Sequence, residues 1–599
     1  MALHMWRLSI LRMTIFLGVG LLLIPFCRGG LPTADWLPDS TKFHLSIADY
    51  PSSRPLFDQT ALGQLLDEEA MVPFWNDFTD QLRSRARASW PGAVWVDVGI
   101  DWSRFASVPS GEVAWAMFNV DESPGGAVFA DVAGKADEVT RLRGQIAAVM
   151  AEQRAERKLF EVDGTTLTLY RLPRRDAGRT STLIHFVRND FFVATHHVEL
   201  ATWLVPRVGV KQVDSLSGFA AYKHVMSQSR AASKTDPHAT LYLVPFDCAE
   251  LIQDAAAERR AKAKRDSSIY RTQGLDALEA IGAVIRFGGP DGDISFLGSL
   301  YAPKPWSKSM RMFDLRNGSL TLEPWIDKDI AAYSWLNGHA ESVYKNVGPL
   351  FDEVVAQGAT GAWKDVLIAL REDEYGPRID LEKEVFAFLR GPVILIEKNS
   401  FPATPESPAV LLAVNVSDQA GLDAGIKKAM QDDPLILQRE IAGARCYYSV
   451  SQDDENKLLW VICVARGHVF MANDFAILTR VLQRQTGPPL ADDHQFQRAA
   501  ASWQEDLGRE VSGSLFCRLD SWIRVRYELL RAGQVIAPRK TFGGMLSSFF
   551  GGESREPEEP GIDASKLPPF EQVRQYFGTF DAAVVSVETG WILCGRVRR

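Results

Sequence analysis

The chain carries one long pattern twice. Residues 191–205 read FFVATHHVELATWLV and residues 469–483 read VFMANDFAILTRVLQ, and each stretch has a β-rich run, a polar break and an apolar helical pattern. The paired positions are Phe192 with Phe470, Ala194 with Ala472, Leu200 with Leu478, and Leu204 with Leu482, all 278 positions apart. A repeated pattern of this length is expected to fold the same way both times, so the repeat constrains the architecture more than any other feature.

Further matching residues follow in the same order in both copies of the pattern. They are residues 55–58 with 349–352 (both Pro-Leu-Phe-Asp), Trp75 and Asp77 with Trp363 and Asp365, Ile100 and Asp101 with Ile379 and Asp380, Gly111 and Val113 with Gly391 and Val393, and Phe219 with Phe496. The separation drifts from echo to echo, as changes in loop length produce after a duplication. The sequence therefore indicates a tandem duplication of one unit.

The predicted elements of each copy also follow one order. In the first copy they are strand 127–132, a helix from Val139 to Val149, a hairpin within 161–172, one or two strands within 181–195, helix 198–205 and strand 239–246. This β-α-β-β-α-β order resembles a ferredoxin-like split unit. We predict an α+β protein of two homologous tandem modules, each a mainly antiparallel sheet with packed helices.

The predicted boundaries follow from composition. Residues 1–30 form a signal peptide, 31–304 the first module, 305–323 a linker and 324–599 the second module, in which 539–569 is a mobile loop rich in Gly, Pro, Ser and Glu. Residues 31–38 are predicted to be a short linker after the signal. The mobile loop contains four apolar residues. We expect them either to pack back on the module or to dock on a partner or membrane surface; they are Phe542, Met545, Phe549 and Phe550.

The N-terminus has the pattern of an export signal. Arg7 and Arg12 precede the apolar run 13–26, and Cys27 and Gly29 supply small residues for a cleavage site. This run of fourteen residues is short for a bilayer span, which needs about 20. We expect a cleaved signal, with an uncleaved N-terminal anchor as the alternative, and an exported body that is periplasmic, envelope-associated or secreted.

Composition excludes some classes of function. With 599 residues, 46% hydrophobic and 24% charged, the chain has the make-up of a multidomain globular protein. The formal net charge of −9 argues against broad nucleic-acid binding, which needs a basic surface. Apart from Cys27, the cysteines are Cys248, Cys446, Cys463, Cys517 and Cys594, all in apolar contexts typical of small buried hydrophobes. Four of these five lie in the second copy, where any disulfide is most to be expected.

No catalytic or metal signature is complete. His196 and His197 are adjacent, so their side chains diverge instead of converging on a metal ion, and capping or polar surface accounts for them. Residues 512–514 (Ser-Gly-Ser) lack the spacing of a nucleophile elbow, and residues 288–292 form a glycine-rich turn without a phosphate-binding lysine. Asp101 and Asp380 suit helix capping. The tryptophans Trp75, Trp115 and Trp363 indicate core packing more than a sugar-stacking platform.

Three stretches carry a resemblance. Residues 37–40 (Leu-Pro-Asp-Ser), the run from Asp190 to Leu200, and residues 567–578 resemble a family of exported, planctomycete-type bacterial proteins of unknown function. The resemblance covers most of the mature chain. It implies an envelope location and supplies no catalytic residue.

The expected function follows from the kinds of residue that recur in the two copies. Apolar positions recur in the two copies and no polar constellation does, so we expect a non-enzymatic envelope protein that binds or scaffolds an unidentified protein or envelope polymer. The alternative is an envelope hydrolase or glycan-binding protein with a site built from loops. The sequence predicts no catalytic residue, metal ligand, cofactor or nucleic-acid partner, and leaves the oligomeric state open.

Overall fold

The computed structural model describes residues 31–89, 107–120, 123–173, 182–231, 233, 236–250, 271–289, 292–354, 356, 358–374, 376–483, 487–549 and 561–599. These residues divide into two compact units. The N-terminal unit contains the described residues of 31–250 and 278–302, and the C-terminal unit contains those of 271–277 and 303–599. The predicted signal peptide at 1–30 lies outside the described residues.

The N-terminal unit is built on ten antiparallel strands. In chain order its elements are β1 (Thr41–Ile47), α1 (Tyr50–Asp58), α2 (Ala61–Asp67), α3 (Val72–Ser89), β2 (Val113–Val120), β3 (Ser123–Asp131), α4 (Ala136–Glu152), β4 (Glu156–Val162), β5 (Thr165–Arg171), β6 (Thr182–Arg188), β7 (Phe191–Thr195), α5 (Val198–Leu204), α6 (Ala220–Ala231), β8 (Ala239–Leu243), β9 (Ala280–Phe287) and β10 (Ile294–Tyr301). The strands lie side by side in the order β4-β5-β6-β7-β3-β2-β1-β8-β9-β10. This order puts β1 in the interior of the sheet, between β2 and β8.

Helices cover both faces of this sheet. Because side chains alternate along a strand, Leu45 and Ile47 of β1 point to the face covered by α1 and α4. On the other face, residues of α5 and α6 pack with Ala114 and Ala116 of β2. Helix α4 buries residues at helical spacing, including Leu142 and Ile146, as predicted.

The C-terminal unit has the same kind of architecture. Its elements are β11 (Gly318–Ser319), β12 (Ala332–Leu336), α7 (Ala340–Asn346), α8 (Gly348–Val354), α9 (Ala362–Glu372), α10 (Leu381–Glu384), β13 (Leu389–Asn399), β14 (Pro408–Val416), α11 (Gln419–Met430), β15 (Leu437–Ile441), β16 (Ala444–Val450), β17 (Leu458–Ala465), β18 (His468–Ala472), α12 (Phe475–Gln483), α13 (His494–Leu507), β19 (Glu510–Val511), β20 (Gly513–Arg518), α14 (Leu519–Arg531), α15 (Phe542–Phe549), α16 (Phe570–Val573), β21 (Thr579–Val587) and β22 (Gly590–Arg598). Its main sheet has the order β15-β16-β17-β18-β14-β13-β12-β20-β21-β22, all antiparallel. Strands β11 and β19 form a separate short pair.

The two main sheets therefore have matching strand orders, but the register differs from the one the sequence suggests. Arg188 pairs with Phe191 and Ala465 pairs with His468 across two-residue turns, so the equivalent residues are 277 positions apart instead of 278. A slip of one residue exchanges the faces of a strand. Phe192 accordingly packs in the α4-side core, whereas Phe470 packs against Trp325 on the other face of its sheet.

The predicted counterpart of Phe496 also shifts. The Phe496 ring contacts Phe516 at 5.4 Å, and in the N-terminal unit it is Tyr222 that contacts the equivalent Tyr242, at 5.2 Å. Phe219 is instead exposed at the start of α6. The sequence favoured Phe219 because it is a phenylalanine, whereas the equivalent position carries tyrosine.

Three further expectations differ from the structure. Four strands, not two, separate α4 from α5, because each of the predicted strand regions closes as a full hairpin; the β-α-β-β-α-β order is therefore not the observed one. Residues 31–38 are not a plain linker, since a 3-10 turn at Thr33–Asp35 leads into the fully buried Trp36. In the predicted mobile loop 539–569, residues 542–549 form α15, whose Met545 is buried against the C-terminal core. Phe550 lies outside the described residues.

Candidate functional site

The residues singled out in the sequence are scattered in the structure. His196 is buried and its ring contacts that of His197 at 4.5 Å, while His197 occupies the N-cap position of α5 without making a capping hydrogen bond. Asp380 caps α10 by accepting a hydrogen bond from the Lys383 amide at 3.2 Å, as predicted, and Asp101 lies outside the described residues. Ser512 is buried and donates to the Val584 carbonyl at 3.1 Å. None of these residues is brought to another as a reactive pair.

The described cysteines and tryptophans are mainly structural. Cys248, Cys446, Cys463, Cys517 and Cys594 are all buried free thiols, which confirms their prediction as small buried hydrophobes. The tryptophans expected in the core, Trp75, Trp115 and Trp363, are partly exposed and pack against neighbouring phenylalanines at 5.1, 4.8 and 5.1 Å respectively. The fully enclosed indoles are those of Trp36 and Trp503, which the sequence analysis did not single out.

A buried polar cluster surrounds Glu112, just before β2. We call Thr33, His44, Ser46 and Glu112 the Glu112 cluster. Thr33 donates its amide to Glu112 Oε2 and its hydroxyl to Glu112 Oε1, both at 2.7 Å. The Ser46 hydroxyl also donates to Oε1, and His44 Nε2 lies 2.9 Å from Thr33 Oγ1. The cluster lies on the face of β1 opposite Leu45 and Ile47.

The direction of these bonds decides what the cluster can do. Since Thr33 gives its only hydroxyl proton to Glu112, its oxygen can only accept from His44, which must carry a proton on Nε2. A nucleophilic hydroxyl needs the reverse arrangement, in which an imidazole nitrogen accepts the hydroxyl proton. The geometry of the Glu112 cluster is therefore that of a hydrogen-bonded anchor, not a catalytic triad.

The ionisation of the cluster agrees with this arrangement. Burial lowers the pKa of His44 to about 3, so the ring is neutral at neutral pH and can act as a donor through one nitrogen only. Burial raises the pKa of Glu112, hydrogen bonds from Ser46 and Thr33 act in the opposite direction, and the neighbouring Asp131 raises it further. Thr33 is 0% exposed and His44 is 2% exposed, so no substrate reaches either group in this structure.

The cluster holds the segment before β1 on the sheet. Beyond Thr33, Trp36 packs edge-on against Phe129 at 4.9 Å and Phe191 at 5.5 Å. The C-terminal unit has the same aromatic arrangement, with Trp325 edge-on to Phe470 at 5.4 Å. It lacks the polar cluster, because its strand β12 carries Tyr333 and Trp335 where β1 carries His44 and Ser46.

One pattern in the sequence could have predicted two of the four residues of the Glu112 cluster, His44 and Ser46. Residues 42–50 (KFHLSIADY) alternate, and His44 and Ser46 share the face opposite Leu45 and Ile47. A strand covered on both faces needs partners for such polar side chains. Nothing in the sequence links Thr33 or Glu112 to them, since they lie in distant, unpatterned segments.

A second buried polar group lies in the C-terminal unit. Trp503 Nε1 donates to Asp581 Oδ1 at 2.9 Å, and Arg598 Nη1 lies 3.3 Å from Asp581 Oδ2. Arg596 Nη2 pairs with Asp506 Oδ2 at 2.7 Å. Burial raises the pKa of Asp581, and the charge of Arg598 and the Trp503 hydrogen bond oppose that rise. Two cations and two carboxylates compensate one another here, so the group binds β21 and β22 to α13.

The clearest surface feature is helix α9. Trp363, Val366, Leu367 and Leu370 recur at helical spacing and define what we call the α9 face. Although amphipathic, α9 contains no buried residue, and Val366 is 38% exposed. The helices between the equivalent strands of the N-terminal unit bury Tyr50, Phe57, Ala61, Met71, Phe74 and Phe78. The C-terminal unit thus leaves this apolar helical face half-buried, with Trp363 packed against Tyr344 and Phe351 and Val366 exposed.

Other kinds of site are absent from the described part of the chain. It contains no group of three or more His, Cys, Asp or Glu side chains placed to hold a metal ion. No helix within the described ranges is long and apolar enough to cross a membrane. Comparison of the chain with models of protein families, with curated proteins and with solved structures finds no match.

Proposed function

We propose that the protein is an exported, tandemly duplicated binding protein that catalyses no reaction and docks a protein partner on the α9 face. The observation that carries the proposal is the exposure of α9, a helix with a regular apolar stripe and no buried residue. An uncovered apolar stripe costs solvation free energy until another apolar surface covers it.

The chemistry of the α9 face favours a protein over an envelope polymer. Its side chains are an indole and three aliphatic groups, which provide apolar contact and few hydrogen bonds. An amphipathic helix or apolar groove of another protein matches such a face. A glycan would require many polar groups to bind its hydroxyls, and these are absent from the stripe.

Duplication is supported by the matching strand orders of the two units and by their matching two-residue hairpin turns. Export is supported by residues 1–30 alone, whose charged start and short apolar run match a signal peptide. The resemblance to exported planctomycete-type proteins agrees with both proposals.

The alternative, an envelope hydrolase, finds less support. Its best candidate is the Glu112 cluster, in which the hydroxyl donates to the carboxylate and the histidine donates to the hydroxyl. Such a cluster cannot attack a substrate without first releasing Thr33 from Glu112. Binding by the α9 face requires no such rearrangement.

Site-specific photo-cross-linking tests the proposal. Benzoylphenylalanine replaces Val366 on the α9 face or, as the control, Lys364 on the exposed polar side of the same helix. We expect position 366 to capture one protein in the producing cells and position 364 not to capture it. That protein, once purified, should bind the wild type and Lys364→Ala equally, and Val366→Asp at least about tenfold more weakly.

Two outcomes contradict the proposal. Equal capture from positions 364 and 366, or none from either, would leave the α9 face without a specific partner. Equal affinity of the captured protein for wild type and Val366→Asp would place its binding elsewhere on the chain.

A further inference from the structure

Two cysteines of the C-terminal unit lie directly opposite each other. Cys446 in β16 pairs with Cys463 in β17 in the antiparallel register, and both are buried free thiols. Directly opposed residues in an antiparallel pair have Cα atoms about 4.5–5.5 Å apart. Disulfides span Cα separations of about 4.4–6.8 Å, so this pair is within bridging distance without movement of the backbone.

The two thiols also interact with each other. Cys463 and Cys446 share a side-chain hydrogen bond, which lowers the pKa of Cys446 and raises that of Cys463. Arg439 pairs with Cys446 from the neighbouring strand β15, and its charge also favours the Cys446 thiolate. Cys446 is therefore the sulfur of the pair that ionises more readily, and Cys463 lies beside it.

The sheet can be packed at the positions of Cys446 and Cys463 without cysteines, as the N-terminal unit shows. The matching hairpins place Leu167 and Phe186 of the N-terminal unit at the positions of Cys446 and Cys463. Both are fully buried in an apolar cluster. The two units thus fill one place in the same sheet with a pair of hydrocarbons and with a pair of thiols.

We infer that Cys446 and Cys463 form a dithiol site that closes to a cross-strand disulfide by exchange with a disulfide-bearing oxidant. The Cys446 thiolate attacks one sulfur of the oxidant and releases the first thiol. The Cys463 thiolate then attacks Cys446 Sγ of the mixed disulfide and releases the second. One disulfide bond of the oxidant breaks, one Sγ–Sγ bond forms, and the two protons leave on the released thiols. The exchange occurs when local opening of β16 and β17 exposes the sulfurs.

The other described cysteines lack such a neighbour. Cys517 lies opposite Ala332 and Phe580, and Cys594 lies opposite Ala583. Cys248 donates its thiol to the Lys42 carbonyl at 2.8 Å. Cys517, which is also buried in a central strand, is therefore an internal control for the reactivity of a buried thiol without an opposed partner.

Peptide mapping after oxidation tests the inference. The full chain is treated with excess 2,2′-dipyridyl disulfide at rising, sub-denaturing urea concentrations until Cys517 is modified, and is then digested without reductant. We expect a cross-linked peptide pair containing Cys446 and Cys463, and a thiopyridyl adduct on Cys517. The Cys463→Ser variant has no thiol opposite Cys446. We therefore expect the thiopyridyl adduct to remain on Cys446 in this variant.

Several results would overturn the inference. Separate adducts on Cys446 and Cys463 in the wild type would show that the sulfurs do not close on each other. Recovery of both as thiols once Cys517 is modified would show that the pair does not undergo exchange. A link from either cysteine to Cys248, Cys517 or Cys594 would assign the disulfide to another pairing.

Discussion

Glu112 illustrates how one carboxyl group can organise a segment that precedes the sheet. It accepts the Thr33 amide, the Thr33 hydroxyl and the Ser46 hydroxyl. Satisfied buried polar groups of this kind fix one arrangement, because any alternative leaves them without partners. The cost is the removal of a carboxylate from water, which the raised pKa of Glu112 reflects.

Substitution of Glu112 separates these two contributions. Glu112→Gln keeps one oxygen for the Thr33 and Ser46 hydroxyls, but it removes the charge and turns an NH2 group toward the Thr33 amide, so we expect it to cost about 1–2 kcal/mol of unfolding free energy at pH 7.5. Glu112→Ala removes all acceptors and should cost about 3 kcal/mol. Urea unfolding of both variants measures the difference. Equal losses would show that the charge, not the hydrogen bonding, holds the segment.

His185 makes the stability of the N-terminal unit dependent on pH. Its ring packs on Phe192 at 5.6 Å, and burial, with Arg143 and Arg157 nearby, lowers the pKa of His185 to about 3. The unfolded histidine has a pKa near 6.5. Between those values the unfolded chain binds a proton that the folded chain does not, so stability falls as the pH drops from 6.5 toward 3.

Replacement of His185 by phenylalanine should flatten this dependence. The ring contacts remain, whereas the titration is lost. Between pH 7.5 and pH 5, His185→Phe should lose less unfolding free energy than the wild type, by up to about 2 kcal/mol. Urea unfolding across this range is the measurement, and His44 and His196 contribute equally to both proteins. Identical pH profiles would contradict the assignment.

At the scale of elements, β21 and β22 depend on buried charges that compensate one another. Asp581→Asn leaves Arg598 without its carboxylate in a buried position, and we expect a loss of about 3 kcal/mol in unfolding free energy. The control is Asp454→Asn, which removes the surface pair with Lys457 and should change stability little. Thermal unfolding of both variants distinguishes the two sites, and similar behaviour would show that the buried network is not required.

The helices of the C-terminal unit differ in what they contribute. Val366→Asp on the α9 face should change the melting temperature little, because Val366 is 38% exposed and the new carboxylate can reach water. Leu422→Asp in α11 buries a charge at a fully enclosed position and should destabilise the unit by about 4 kcal/mol or more. Scanning calorimetry compares the two. A large loss in Val366→Asp would show that the α9 face is packed internally.

Local pattern predicted many elements correctly. The hairpin turn at Asp163 and Gly164, the strand that begins at Ala239 and the helix before Pro206 follow from alternation, helical spacing and turn residues. These features depend on neighbours in sequence. The cap at Asp380 belongs to the same class.

What the sequence could not supply depends on distant contacts. Trp36 is buried by Phe129 and Phe191, and no local pattern in residues 31–38 reveals those neighbours. Met545 is buried in a segment whose composition is typical of a loop. The α9 stripe has the spacing of a core helix, and only the structure shows that its residues are partly covered and none is fully buried.

At the scale of the whole molecule, two units with the same strand order use their interiors differently. The N-terminal unit fills the space above β1 with the Glu112 cluster, whereas the C-terminal unit places Tyr333 and Trp335 there. The C-terminal unit in turn buries charges around Asp581 and leaves the α9 face open. The polar groups around Glu112 and Asp581 are thus buried. The surface that distinguishes the C-terminal unit, the α9 face, is apolar. This contrast is the basis for our proposal that the protein binds a partner.

Carbene footprinting of the native full chain tests that contrast in one experiment. A diffusing carbene labels side chains according to their exposure, and mass spectrometry locates the label. We predict labelling of Val366, and labelling of residues 31–47 mainly at the exposed Leu31, Pro32 and Asp39, with Thr33 and His44 unlabelled until the chain unfolds. Labelling of Thr33 and His44 in the folded chain, with Val366 protected, would contradict the account and make the Glu112 cluster the accessible site.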